Sequence, residues 1–311
     1  MNDPLDDYQT ALAQGYLPIR EVARSTGVNP VTLRAWERRY GLVVPHRTPK
    51  GHRLYSREHV ARIQAILTWL NRGVAVSQVK ELLDSRTPPS PPSGNDWDEL
   101  QQDLLRAIAR QAERQLDDGF NRALAVYPPH TLCAQLLLPM LGELDRRWQG
   151  SQIGNQLERV FFYSWLRSKL GTRLYHSNRQ QQAAPLLLVN ASAQPLEPGL
   201  WLCAWLASSA GCPVEVFDWP LPASELALAI DNIGPRALLL YSSQALDSQQ
   251  LRRDLPRLLA ASPIPLLLAG PAVAIHHDDL LALNGLHLSA DPLAALAQLQ
   301  TLDLLGGHHH E

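Results

Sequence analysis

"VNPVTLRAWERRYGLVVPHRTPKGHRLYS", residues 28–56, decides how the rest of the chain is read. It gathers Arg34, Arg38, Arg39, Arg47, Lys50 and Arg53 with His46, His52, Trp36, Tyr40 and Tyr55, around three prolines and two glycines. Asn29 is a good N-cap, Pro30 suits a first helical position and Gly41 ends the run, so a helix is predicted between them. Upstream, "PIREVARSTGV" places Ile19, Val22 and Ala23 at helical spacing before Thr26-Gly27 breaks it. Two short helices joined by a glycine-containing turn make a helix-turn-helix. Downstream, "LVVPHRTPKGHRLYS" reads as a two-stranded ribbon about the turn Thr48-Pro49-Lys50-Gly51. Two amphipathic segments, "REHVARIQAILTWLNRG" and "AVSQVKELLDSR", complete a winged module at 16–86.

The charge distribution singles out this module. The chain's formal net charge is -2, yet residues 1–86 hold 13 Lys and Arg against 8 Asp and Glu, while the remainder holds 15 against 22. A basic front on an acidic body is expected when one domain meets a polyanion. A cationic stretch is ordinarily a solvated face, but here the cations follow a pattern. Thr32, Trp36, Arg39 and Tyr40 follow helical spacing on the second helix, while Arg34 and Arg38 sit one turn apart on another face. Cations and short polar groups in that position reach phosphates and base edges in the major groove of double-stranded DNA. The ribbon adds Arg47, Lys50, His52 and Arg53, braced by Tyr55, as a wing over the flanking backbone. Trp36 is assigned mainly to packing.

Behind the module, "TPPSPPSGND" at 87–96 is a Pro/Ser linker without a packable side chain. Helical periodicity then runs over 97–178, in segments suited to a bundle of three or four helices. From 184 to 304, five short apolar strands alternate with helices, the pattern of a parallel sheet covered on both faces. The expected class is therefore α/β multidomain: a winged helix-turn-helix, a helical bundle and a flavodoxin-like (Rossmann-like) doubly wound domain. The opening "MNDPLDDYQTALAQG" lacks the apolar stretch of a secretory signal, and runs such as "ALLLY" are too short to span a bilayer. Three scattered cysteines fit neither a disulfide framework nor a zinc site. A cytoplasmic location without a membrane partner is expected. The terminal "GGHHHE" reads as a tag remnant or disordered tail. No phosphate-binding glycine loop, nucleophile elbow or metal-ligand cluster emerges, so no catalytic or metal-ligating residue is assigned.

The string "RTPKGHRLY", Arg47 to Tyr55, together with "NPVTLRAWERRYGL", resembles the MerR family of transcriptional regulators and its MlrA-like and CarA/CarH/LitR branch. The resemblance implies a homodimer that grips promoter DNA and activates by distorting an overlong promoter spacer, with RNA polymerase as a further partner. It assigns DNA contacts to Thr32, Arg34, Arg39, Tyr40, Arg47, His52 and Arg53; the residue pattern adds Arg38, Lys50 and Tyr55.

The CarA/CarH/LitR members hold cobalamin between a helical bundle and a Rossmann-like domain, and this chain departs from their motifs. Trp148 is followed by Glu158, but Arg159 stands where the bundle motif has histidine. "QPLEPG" places Leu196 where the cobalt-ligating histidine is expected and keeps Gly199; Gly270-Pro271 stands for the Gly-Gly that lets the nucleotide tail approach. Leucine has no lone pair for a metal, so cobalamin is not expected as cofactor. The crevice at the strands' carboxyl ends remains a candidate for an unidentified small-molecule or protein effector, with Trp148, Glu158, Arg159, Ser192, Trp219, Ser242 and Gly270 as its residues. Two alternatives stand beside this reading: a light-responsive, cobalamin-dependent repressor with a rewired pocket, and a regulator whose rear region is only an interaction or dimerisation scaffold.

Overall fold

In the computed structural model, which describes residues 8–84, 95–150 and 152–305, the cationic stretch folds around two backbone caps. After α1 (Tyr8–Ala13) and the two-residue strand β1 (Leu17–Pro18), α2 (Ile19–Thr26) ends at Gly27 in the left-handed conformation. The carboxamide of Asn29 then accepts from the Thr32 amide at 2.8 Å, opening α3 (Pro30–Ala35). The helix continues as a wider π turn, Trp36–Tyr40, and stops at Gly41, again left-handed. The wing strands β2 (His46–Arg47) and β3 (Arg53–Tyr55) pair antiparallel. β1 pairs with the other edge of β3, so the expected two-stranded ribbon is a three-stranded sheet. A two-residue strand ending in proline has no sequence period by which to be recognised.

Ser56 and His59 form a reciprocal capping box that starts α4 (Arg57–Asn71), and α5 (Val76–Asp84) follows. The linker expected at 87–96, except Asn95 and Asp96, lies outside the described residues, as does the His-rich tail. The helical region comprises α6 (Asn95–Ala109), α7 (Glu113–Leu124), α8 (Pro129–Leu132), the π turn Cys133–Leu137, α9 (Leu138–Trp148) and α10 (Asn155–Asn178). The unbroken periodicity from Trp97 onward hides a turn, because Gln111 takes a positive φ of 48° between α6 and α7.

The chain divides into two compact units, Met1–Glu158 and Arg159–Glu311, with the boundary inside α10. In the first unit the winged module is packed on the helical region. Trp36 is fully buried, and its indole N–H donates to the Val126 carbonyl at 2.8 Å. The Tyr127 hydroxyl accepts from the Val76 amide at 3.3 Å, and its ring meets Trp97 at 4.3 Å. Thr131 donates to the Asn71 side chain at 2.8 Å, and Gln135 to the Asn71 carbonyl at 3.0 Å.

The second unit holds β4 (Leu186–Asn190), α11 (Pro198–Ser209), β5 (Val214–Phe217), α12 (Ala223–Ile233) and β6 (Ala237–Tyr241). The π turn Gln250–Asp254 leads into α13 (Leu255–Ala261), then β7 (Leu266–Ala269), α14 (Ala272–Ile275), α15 (His277–Leu281), β8 (Leu286–Ser289) and α16 (Pro292–Thr301). All strands are parallel in the order β5-β4-β6-β7-β8, the flavodoxin-like arrangement. β4, β6 and β7 are buried at every residue, as strands covered on both faces must be. Successive side chains alternate between the faces. Val189, Leu240 and Leu268 join the apolar cluster with α12 and α13, whereas Tyr241 packs toward Gly199 at the start of α11.

Trp36→Phe retains an aromatic ring but leaves the Val126 carbonyl without its donor. A buried acceptor orphaned in this way costs about 1–3 kcal/mol. The urea midpoint of the variant is expected to fall by that free energy divided by the slope, with the slope unchanged; an unchanged midpoint would mean that the indole hydrogen bond contributes nothing to docking.

Candidate nucleic-acid interface and ligand cleft

The Asn29 cap fixes the phase of α3. Thr32 and Trp36, one turn apart, point into the core, while Val31, Arg34, Arg38 and Arg39 are exposed. Tyr40 is half-buried. Thr32 is fully buried and its hydroxyl finds no hydrogen-bond partner, so its assignment as a DNA contact is corrected: it lies on the same inward stripe as Trp36. Tyr55 is corrected as well. Its ring is buried in the wing, its hydroxyl is unpaired, and burial foremost raises its pKa to about 12, so it braces as a neutral phenol.

The wing turn is closed by Thr48. The Gly51 amide donates to its carbonyl at 2.8 Å, the His52 amide to its hydroxyl at 3.1 Å, and Gly51 takes a φ of 83°. This leaves Lys50 and His52 exposed at the tip. The other two wing cations turn inward to a residue that the sequence pattern does not single out. Glu37, the one acid in the recognition segment, accepts from Arg47 at 2.5 Å and from Arg53 Nε at 2.6 Å. Arg53 is only 13% exposed, and its second terminal nitrogen is buried without a partner. Arg53 therefore acts as a tie between wing and helix, whereas Arg47 keeps half its surface open. Burial works to raise the Glu37 pKa, but the hydrogen bonds and charges of Arg47 and Arg53 outweigh it and hold the carboxyl below its ordinary value. A lone acid between two arginine clusters was the available signal.

The polar residues proposed for an effector crevice are engaged by neighbouring groups. In the first unit, Glu158 accepts from Arg147 at 2.9 Å and from the Trp148 indole at 3.3 Å. In the second, Arg159 donates to the Gln194 side chain and lies over the Tyr163 ring, 5.5 Å from its centre. Asn190 accepts from the Ser192 amide at 2.8 Å and hydroxyl at 3.0 Å, and donates to the Gln194 and Asp218 carbonyls. Ser242 donates to the Gln244 carbonyl at 2.8 Å. These loops are self-capped, which removes Ser192 and Ser242 as free ligand donors. Trp219 is 68% exposed, beside an Asp218 carboxylate that joins Arg167 and the Trp201 indole. Gly270 has a φ of 105°, and a Cβ there would come within 3.0 Å of Tyr241 Cζ; at Gly199 it would collide with the same phenol ring. Tyr241 thus fills the space before both glycines.

The cavity of this unit lies on the other face of the sheet. Val189, Leu240 and Leu268, in register on β4, β6 and β7, form its floor, and Leu226, Leu246, Leu255 and Leu258 its walls. None of these stands out in the sequence, because apolar strand and helix residues look the same whether they line a void or fill one.

Comparison with known proteins places this geometry. Residues 17–86 match the family described as MerR HTH family regulatory protein. The HTH-type transcriptional regulator MlrA of Escherichia coli K12 is 35% identical over 237 residues, 75% of this chain and 90% of the relative. MlrA of Salmonella typhimurium LT2 is 36% identical over 198 residues, 64% of this chain and 78% of the relative. The HTH-type transcriptional repressor CarH of Myxococcus xanthus is 26% identical over 286 residues, 85% of this chain and 92% of the relative.

Glu37→Gln removes the charge between Arg47 and Arg53. A carboxyl whose pKa is lowered by folding adds stability above its ordinary value of 4.5, and that stability is lost as pH falls through the folded value. Urea midpoints measured from pH 7 to pH 3 are expected to show the wild type well above Glu37→Gln at neutral pH and the two converging in acid. Parallel curves would refute the clamp.

Proposed function

Since the chain belongs to the MerR family of helix-turn-helix transcriptional regulators, sharing its sequence with MlrA, CarH and CarA, we propose that it grips promoter DNA as a homodimer and activates transcription through RNA polymerase. That it is a DNA-binding transcriptional regulator is the premise; the dimer, the sign of regulation and the polymerase follow the family resemblance. The observation that carries the reading is a set of exposed cations. Arg34, Arg38 and Arg39 lie on the recognition segment, and Arg47 and Lys50, with the exposed His52, lie on a wing that is tied to the same segment through Glu37. Such cations contact phosphates and set register, whereas the exposed Val31 offers an apolar contact to a thymine methyl.

The second unit is read as the receiver of an effector signal and not as an enzyme, which accords with relatives that are transcriptional regulators. Cobalamin does not fit its residues. Leu196 offers no ligand to cobalt, and the Tyr241 ring packs directly against Gly199. A cytoplasmic location suits a promoter-binding protein, and no helix among the described residues is long and apolar enough to cross a membrane.

Lys50→Ala tests the interface, because Lys50 sits at the wing tip and the fold does not depend on it. Binding to promoter and to unrelated duplexes is expected to weaken together. The slope of log affinity against log salt is expected to become shallower by about 0.9 for each phosphate that lysine had neutralised. An unchanged slope in a salt titration would remove the wing from the interface.

A further inference from the structure

The cavity behind α12 and α13 has the form of a ligand site. It measures about 60 Å³ and lies at the carboxyl ends of β4, β6 and β7, the edge at which open α/β sheets take ligands. One water-sized group needs roughly 10–15 Å³, so the space holds about four to six of them. Native interiors are close-packed, and a void of this size lined by Val189, Leu226, Leu240, Leu246, Leu255 and Leu258 leaves many dispersion contacts unmade. The polar groups near it are already engaged. The Gln250 side chain donates to the Ala191 carbonyl at 2.9 Å and accepts from the Asp247 amide at 3.0 Å, and Asn190 is committed to its own loop. The inner end is therefore mainly apolar, and the Asp254 carboxylate marks its passage into the outer depression.

The throat opens between Pro220, Leu221 and Ala223 into an outer depression of about 670 Å³ that includes Arg253 and Arg257. These two arginines are four residues apart, exposed, and unengaged by any other described side chain. Asp247 and Asp254 stand in the same lining and keep their charge, but each is held by a hydrogen bond within its own turn: Asp247 accepts from the Gln250 amide at 2.7 Å, and Asp254 from the Gln249 side chain at 3.3 Å. The mouth thus carries both signs, and its guanidinium groups match carboxylates in geometry.

We propose that this cleft binds a small amphipathic carboxylate, with an apolar tail of about four to six carbons among the leucines and its head at Arg253 and Arg257. It is separate from the loops around Tyr241, which lie on the α11 face of the sheet. Its link to regulation rests on the reading of this unit as a signal receiver; the binding itself does not.

Thermal unfolding of the full-length protein with hexanoate tests the site, with hexanol and hexylammonium as the neutral and cationic controls. A ligand that binds only the folded state raises the melting temperature with concentration. Hexanoate is expected to stabilise saturably, hexanol less, and hexylammonium not at all. Ala223→Phe, at the partly exposed throat, is expected to abolish the shift without lowering the ligand-free melting temperature. The double variant Arg253→Glu, Arg257→Glu is expected to weaken hexanoate by about tenfold or more and leave hexanol unchanged. No stabilisation by hexanoate, an equal shift from hexylammonium, or a shift that survives Ala223→Phe would each overturn the proposal. Promoter affinity measured with and without hexanoate separates the two readings. Saturable binding with unaltered DNA affinity would leave the site standing and overturn its role as the receiver of a signal.

Discussion

One hydrogen bond, from the buried Trp36 indole to the Val126 carbonyl, sets the terms for the first unit. It ties the second helix of the helix-turn-helix to the turn between α7 and α8, across ninety residues of sequence. Because Trp36 is fully buried, the recognition helix cannot rotate about its axis without exposing a large aromatic surface and orphaning a carbonyl. The outward direction of Arg34 and Arg38 follows from that lock. The Tyr127, Thr131 and Gln135 contacts to the end of α4 and the start of α5 widen the same attachment, so a displacement of the helical region has a direct mechanical route to the cations.

Electrostatics then divides the arginines into two groups. Arg53 is committed to Glu37, Arg47 is shared, and Arg34, Arg38, Arg39 and Lys50 remain for an external polyanion. One carboxylate thereby orients the wing while cancelling some local positive charge. A wing without Glu37 would carry more charge and hold it less firmly. In a module whose task is register on a duplex, position matters more than total charge.

The sequence made the architecture legible because its signals were local. Asn29-Pro30 and Gly41 bounded the recognition helix, Gly51 the wing turn, and the apolar strands with intervening helical periods the parallel sheet. Less was legible where tertiary geometry decides. Thr32 and Arg34 are both plausible DNA contacts in a string of letters, and only the docking of Trp36 tells which of them faces inward. Ser192 and Ser242 look available until their loops close on Asn190 and Gln244. The void above Val189 and Leu240 has no local signature, since it is a property of packing between elements far apart in sequence.

The short strand β1 has a consequence for solubility. A wing must stand out from the body to meet a duplex, and an exposed β-ribbon invites strand addition by a neighbouring chain. Here one border of the sheet ends in Pro18, which has no amide hydrogen to give, and the other carries only His46 and the charged Arg47. Both borders are thus poor templates for strand addition.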